Sequence, residues 1–168
     1  MNIQCRRIHK GDPAIISRAF AEQGWNKPQS LYERYVEEHR KGERVTIITE
    51  VDGAFAGYVN VLWHSGYPSF HEQGIPEIND FNVLIQYRRQ GIGSILMDEA
   101  EAVIRERSAV AGIGVGLFSD YGNAQILYAK RGYVPDGKGI YSADRYVGYG
   151  DMVRIDDDIA LYLTKALR

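Results

Sequence analysis

The chain has 168 residues, 45% hydrophobic and 25% charged, the balance of a globular protein long enough for one domain with a sizeable core. Its formal net charge of −2 offers nucleic acid no basic footprint, and no apolar run approaches the roughly 18 residues of a membrane span. The single cysteine, Cys5, rules out an internal disulfide, and residues 1–10 hold no apolar signal core, so a reducing cytoplasm is expected.

Asn2 to Ile8 alternates weakly in polarity and suits a first strand, with Cys5 as a small core residue. Asp12-Pro13 opens a helix, with Asp as N-cap and Pro at the first helical position. Ala14, Ile15, Ile16, Ala19 and Phe20 give it an apolar face, and Gly24 ends it. Pro28 and the capping box Ser30-x-x-Glu33 open a second helix, with a stripe of Leu31, Tyr32, Tyr35, Val36 and His39. Arg44 to Val51 and Ala54 to Trp63 are β-rich runs joined by Asp52-Gly53, a hairpin signal. Ser65 to Ile75 reads as a loop, and Glu77 to Val83 as the fourth strand. A helix from Gly91 to about Arg107 collects Ile92, Ile95, Leu96, Ala100, Val103 and Ile104 on one face. Gly112 to Phe118 reads as a fifth strand, Asn123 to Arg131 as a short helix, and Tyr133 as the start of a sixth strand. Lys138 to Gly150 reads as a glycine- and tyrosine-rich loop or arm, and Ile159 to Thr164 as the last strand. This order is mixed α/β with an antiparallel start. A doubly wound sheet would alternate strand and helix throughout. One domain spanning residues 1–168 is expected.

The run Val83-Leu84-Ile85-Gln86-Tyr87-Arg88-Arg89-Gln90-Gly91-Ile92-Gly93-Ser94 carries most of the functional information. A buried strand breaks at a basic, glycine-bearing turn and runs straight into a helix. Glycine lets the backbone approach closely, the first helical turn offers unpaired N–H groups, and the arginines add positive potential, so the turn suits a pyrophosphate. It is not a Walker A loop, because no Lys follows Gly91 or Gly93. It is not a dinucleotide fingerprint, because the third glycine is replaced by Leu96. Gly112-Ile113-Gly114-Val115-Gly116 has no helix start after it and reads as a narrow buried strand.

Arg88-x-x-Gly91-x-Gly93 resembles the acyl-CoA signature [QR]-x-x-G-x-[GA] of the GNAT superfamily of N-acyltransferases. Glu77 to Val83 looks like that family's fourth strand. Asn123-Ala124-Gln125-Ile126-Leu127-Tyr128-Ala129-Lys130-Arg131-Gly132-Tyr133 looks like its N-A-x-x-L-Y-x-x-x-G-[FY] helix, and Pro135 follows as is common there. The resemblance spans about residues 3–165 and is concentrated between 77 and 135. It implies a mixed α/β fold with a central, mostly antiparallel sheet flanked by helices. Strands four and five of that sheet splay apart to admit the pantetheine arm of acetyl-CoA.

The same resemblance implies direct acetyl transfer to a primary amine, without a covalent enzyme intermediate. Backbone N–H groups of Arg89, Gln90, Gly91, Ile92, Gly93 and Ser94 would hold the phosphates, with Arg88 adding charge. Val83 and Ile85 would pair with the pantetheine amides, and an N–H near Val83 or Leu84 would polarise the thioester carbonyl. Asn123 would cap its helix and bond the pantetheine arm. Tyr128 would be the general acid toward the coenzyme A sulfur, and Glu77 the base, directly or through water. Asp80 rivals Glu77. In a regular strand the two face opposite ways, so only one meets the cleft unless a β-bulge intervenes.

The resemblance also implies an acceptor pocket built from the first two helices, the loop before strand four and the late loop, which here supply Trp25, Tyr32, Tyr35, Trp63, His64, Tyr67, Phe70, His71, Glu72 and Tyr141, aromatics and a carboxylate that suit a cationic amine. Long loops at 64–76 and 136–156 are able to cover the site, which favours a small-molecule amine. The alternatives are a peptide or protein amine, and a non-catalytic acyl-CoA sensor. No metal is expected, since His64 and His71 lack ligand spacing and Asp156-Asp157-Asp158 lacks the pattern of a calcium loop. The aspartates read as a solvated turn, or as one residue lining the acceptor site. No nucleic-acid or membrane partner is expected, and a homodimer is left open.

Overall fold

Strand alternation and helical stripes assemble into a single mixed sheet with helices on both faces. The computed structural model describes residues 1–168. In chain order the elements are β1 (Ile3–Arg7), α1 (Asp12–Glu22), α2 (Gln29–Arg40), β2 (Arg44–Val51), β3 (Ala54–Leu62), α3 (Pro68–Gln73) and β4 (Glu77–Val83). They continue with α4 (Ile92–Arg105), β5 (Val110–Gly116), α5 (Gly122–Lys130), β6 (Val134–Ser142), β7 (Arg145–Tyr146) and β8 (Ile159–Ala166). The sheet order is β1-β2-β3-β4-β5-β8-β6-β7. Every pairing is antiparallel except β4 with β5, which are parallel and joined only at Glu77–Gly112 and Ile78–Ile113 before they diverge.

Adjacent Ile47 and Ile48 of β2 enter different cores, as the two-residue period of a strand requires. Ile47 joins Val59, Val61, Ile78 and the buried stripe Ile92, Leu96, Met97, Ala100, Val103 and Ile104 of α4. Ile48 joins Ile16 and Phe20 of α1, Tyr32 and Tyr35 of α2, and Tyr58 of β3. A third, aromatic cluster of Tyr67, Phe70 and Tyr141 ties α3 to β6. The Tyr67 ring stacks on Tyr162 of β8 at 3.7 Å between centroids.

The hairpin turn forms as expected, with Asp52 and Gly53 both at positive φ, 50° and 83°. Several local expectations fail for tertiary reasons. Asp12 lies inside α1, not at its cap. Its carboxylate is drawn to Arg6 at 2.7 Å and accepts the His9 N–H at 2.8 Å. Ala14 and Ile15 face solvent, because Ile16 and Phe20 supply the buried side. The capping box does not form. α2 starts at Gln29 behind Pro28, and Glu33 accepts from the Gln29 amide instead. The loop at 65–75 contains α3, begun by Pro68 and closed by Gly74 at φ 65°. Much of the expected arm at 138–150 is strand, because β6 runs to Ser142 and turns back as β7.

Candidate active site

The basic turn is built almost wholly from backbone. β4 stops at Val83, and Ile85–Tyr87 forms one 3-10 turn, so Ile85 lies outside the strand. Arg89 and Gly91 then take positive φ, 60° and 81°, and α4 begins at Ile92. No protein acceptor bonds the N–H groups from Arg89 to Ser94, and the helix dipole adds to their potential. Gly91 is required for its left-handed backbone, since open space surrounds its Cβ position. Gly93 is required for packing, because a Cβ there would meet the Phe81 ring at 3.2 Å.

Leu84 donates its N–H to Ala56 of β3 at 2.8 Å. Strand groups alternate sides, so the Val83 N–H and carbonyl face the gap toward β5. Arg88 Nε reaches that carbonyl at 3.2 Å, with the guanidinium over Trp25, and the Ile85 N–H donates to Gln23 Oε1 at 3.1 Å. Gln90 donates to the Gln86 carbonyl at 3.1 Å. Asn123 is not a cap. It lies one residue inside α5 with its side chain exposed, and Tyr121 stands at the N-cap without a side-chain bond.

A β-bulge turns both carboxylates toward the same cavity. Tyr58 pairs with Asn82 and Asn60 with Asn79, so Val59 alone faces Asp80 and Phe81. Asp80 takes φ 48° at this bulge, and Gly57 makes room beside it, since a Cβ there would lie 2.5 Å from the Asn82 carbonyl oxygen. Glu77, Asn79 and Asp80 therefore line one cavity of about 430 Å³ between the splayed strands. Glu77 is buried and accepts from Ser65 and from the Asn79 amide at 3.0 Å. Burial pushes its carboxyl above the usual range, and the two donors oppose this only in part.

Tyr128 of α5 lines the same cavity from the other side, near Phe81. Burial raises its phenol well above the ordinary value, with a smaller contribution from Tyr121, so it stays protonated at neutral pH. The third side is the glycine face of β5. A Cβ at Gly112 would strike the Phe70 ring, one at Gly114 would lie 2.9 Å from Tyr162, and one at Gly116 would strike Tyr121. The alternate glycines leave room for three aromatic rings to pack close against the strand. Tyr121 donates to Asp157 at 3.0 Å, and burial followed by that aspartate pushes its phenol up to about 12.

The profile of the acetyltransferase (GNAT) family matches residues 13–133. The chain belongs to the acetyltransferase (GNAT) family. Solved structures agree on the fold. One GNAT-family acetyltransferase from Desulfovibrio desulfuricans superimposes with TM-score 0.74 at 15% identity, over 99% of this chain and 100% of that one. An acetyltransferase from Salmonella typhimurium, solved with its cofactor acetyl-CoA, gives 0.72 at 15% identity, over 100% and 95%. A ribosomal-protein-alanine N-acetyltransferase from Brucella melitensis gives 0.69 at 20% identity, over 98% and 99%. No curated protein sequence matches at significance.

In this GNAT chain none of the ten acceptor candidates lines the cavity. Trp25, Tyr32 and Tyr35 pack with the α1–α2 core, and Tyr67, Phe70 and Tyr141 hold α3 against β6. Trp63 lies beneath Arg107, and His64, His71 and Glu72 line a separate shallow pocket. The cavity takes Lys27, Tyr121 and Tyr162 instead, together with Asp157, one of the three aspartates for which a place in the site is the alternative reading. Tyr121 and Tyr162 had a signal, the alternate glycines of β5, each of which demands a partner. No group of three His, Cys, Asp or Glu side chains is gathered as a metal site, and no helix is long and apolar enough to cross a membrane.

Proposed function

We propose that this acetyltransferase moves an acetyl group from acetyl-CoA directly to a primary amine of a small molecule, in the cytoplasm. The observation that carries the reading is that Glu77 and Tyr128 face one cavity at the splay of β4 and β5. The unbonded N–H groups from Arg89 to Ser94 fit the phosphates, and the Val83 N–H fits an extended amide-bearing arm. When bound, acetyl-CoA supplies an activated thioester. The chain's own residues do the proton work. An alkylamine of pKa about 10.4 is neutral in roughly one part in 10³ near pH 7, so a base is needed. Glu77 takes that proton, directly or through water, and its raised affinity for protons suits the task. Tyr128 holds a proton at Oη for the departing thiolate.

Two features favour a small acceptor. The cavity volume lies in the usual small-ligand range, and the neighbouring loops are pinned by the Tyr67–Tyr162 stack and the Tyr67–Asp136 bond of 2.6 Å. The test is coenzyme A release from acetyl-CoA across polyamines, aminoglycosides, amino acids and short peptides. Release clearly above the blank with a small amine supports the reading. Release with peptides alone transfers it to a protein acceptor. A flat panel with acetyl-CoA still bound overturns the small-amine reading and leaves a sensing module.

A further inference from the structure

Asp80 has an environment unlike that of Glu77, and its hydrogen-bond accounting leaves one position free. Asp80 Oδ2 accepts the Tyr35 hydroxyl at 2.6 Å and the Tyr58 hydroxyl at 2.7 Å. Oδ1 accepts the Asn82 amide at 2.9 Å. A carboxylate offers about four acceptor positions, so Oδ2 is filled and Oδ1 keeps one. Asp80 is partly exposed and lines the cavity, where that position can meet a ligand.

The surroundings hold it still. Tyr58 is fully buried, and Tyr32 packs edge-on to both Tyr35 and Tyr58, with its hydroxyl 3.2 Å from that of Tyr58. Arg44 lies over the Tyr35 ring at 4.2 Å and is itself ion-paired to Glu38. The backbone at Asp80 is left-handed, a conformation that is unfavourable for a non-glycine residue and gathers at functional sites. Without the bulge, Asp80 would point to the α4 side of the sheet. Three charges of the same sign, on Glu77, Asp80 and Asp157, outnumber the one cation Lys27 in the cavity.

We infer that Asp80 is the ammonium anchor of the acceptor site: its open Oδ1 position receives one N–H of the protonated amine, and Tyr35 and Tyr58 are positioning residues that aim it. The inference rests on the transferase reading above. It assigns the two carboxylates different work, with Asp80 capturing the cation and Glu77 removing its proton. It also selects acceptors that arrive charged, the alkylamines, over weakly basic amines.

The test compares Asp80→Asn with the wild type, on the best alkylamine of the panel and on a weakly basic amine that is neutral at the assay pH. Asn keeps the size and tolerates the left-handed backbone. The expected result is a KM for the alkylamine raised about 10- to 100-fold, the scale of a hydrogen bond to a charged group. The KM for the neutral amine stays within about 3-fold, and acetyl-CoA affinity measured by calorimetry is unchanged. Tyr35→Phe should raise the alkylamine KM about 3- to 10-fold in the same selective way, and it carries the test if Asp80→Asn folds poorly. Equal changes for both amines, an unchanged alkylamine KM, or a loss confined to kcat would overturn the anchor. No turnover by the wild type with acetyl-CoA bound would instead overturn the transferase reading beneath it.

Discussion

The turn at 88–94 and the face formed by Glu77, Asp80 and Tyr128 flank the same strand, β4, yet they are made of different material. The turn is contiguous in sequence and presents main-chain N–H groups, and its fixed side-chain demands are local, at Gly91, Ile92 and Gly93. The cavity face is made of side chains from β4, α5, β8 and Tyr121 just before α5, brought together from distant parts of the chain. Binding a part common to every reaction of a family needs only backbone geometry. Choosing one acceptor needs side chains and the second layer that holds them.

The largest expected effect is at the turn. Gly91→Val forces a β-branched residue to φ 81° and should remove measurable acetyl-CoA binding by calorimetry, at least about 100-fold, while far-UV circular dichroism stays native. Binding within a few-fold of wild type would break the backbone side of the contrast. Next, Tyr128→Phe should lower kcat about 10- to 10³-fold with acetyl-CoA affinity kept. An unchanged kcat would remove Tyr128 from the chemistry.

A smaller effect is expected where the two regions are joined. Buried Glu101 of α4 accepts from Arg131 and Lys165, at 3.1 and 3.0 Å, and from Tyr133 at 3.0 Å. This bolts the helix that carries the turn to the end of the helix that carries Tyr128. Glu101→Ala should cost about 3 kcal/mol in urea unfolding, because it leaves Lys165 without its ion pair and the Tyr133 hydroxyl without its acceptor, while Arg131 keeps only Asp98. Burial pushes the Glu101 carboxyl up, but the three donors together outweigh it and hold it below the usual range. The folded state therefore binds this proton less readily than the unfolded one. The stabilisation is full above the ordinary glutamate pKa of about 4.3 and fades as pH falls through the lower folded value. Wild type and variant should converge in stability toward acid, and a gap that does not shrink would count against the network. The smallest effect is Gly114→Ala, whose Cβ would lie 2.9 Å from the Tyr162 ring. It should cost about 1 kcal/mol or more by overpacking and shift the amine KM by a few-fold at unchanged acetyl-CoA affinity.

What could be read from sequence follows the same division. The break from β4 through a glycine turn into α4, the Asp52-Gly53 hairpin and the stripe of α2 are local patterns, and each forms where expected. Asp80 shows the limit. Its orientation depends on the β3–β4 register and on the room left at Gly57, and no local pattern reports either. The ten acceptor candidates failed because aromatic residues in the right loops are also what a core requires, and Tyr32, Tyr67 and Phe70 were claimed by packing. Asn123 looked like a cap, but α5 begins one residue earlier, directly out of the 3-10 turn at Ser119–Tyr121. Asp157 joined the cavity through Tyr121, a contact across 36 positions.

The short seam between β4 and β5 has a consequence for the molecule as a whole. Two residue pairs join strands that could have been bonded along their length, so one half of the sheet, β1 to β4, is left incompletely knitted to the other. An extended, amide-bearing ligand in that gap would take the place of the missing rungs. A ligand that binds there would double as building material for the sheet, and its occupancy, without any turnover, would raise the melting temperature by mass action.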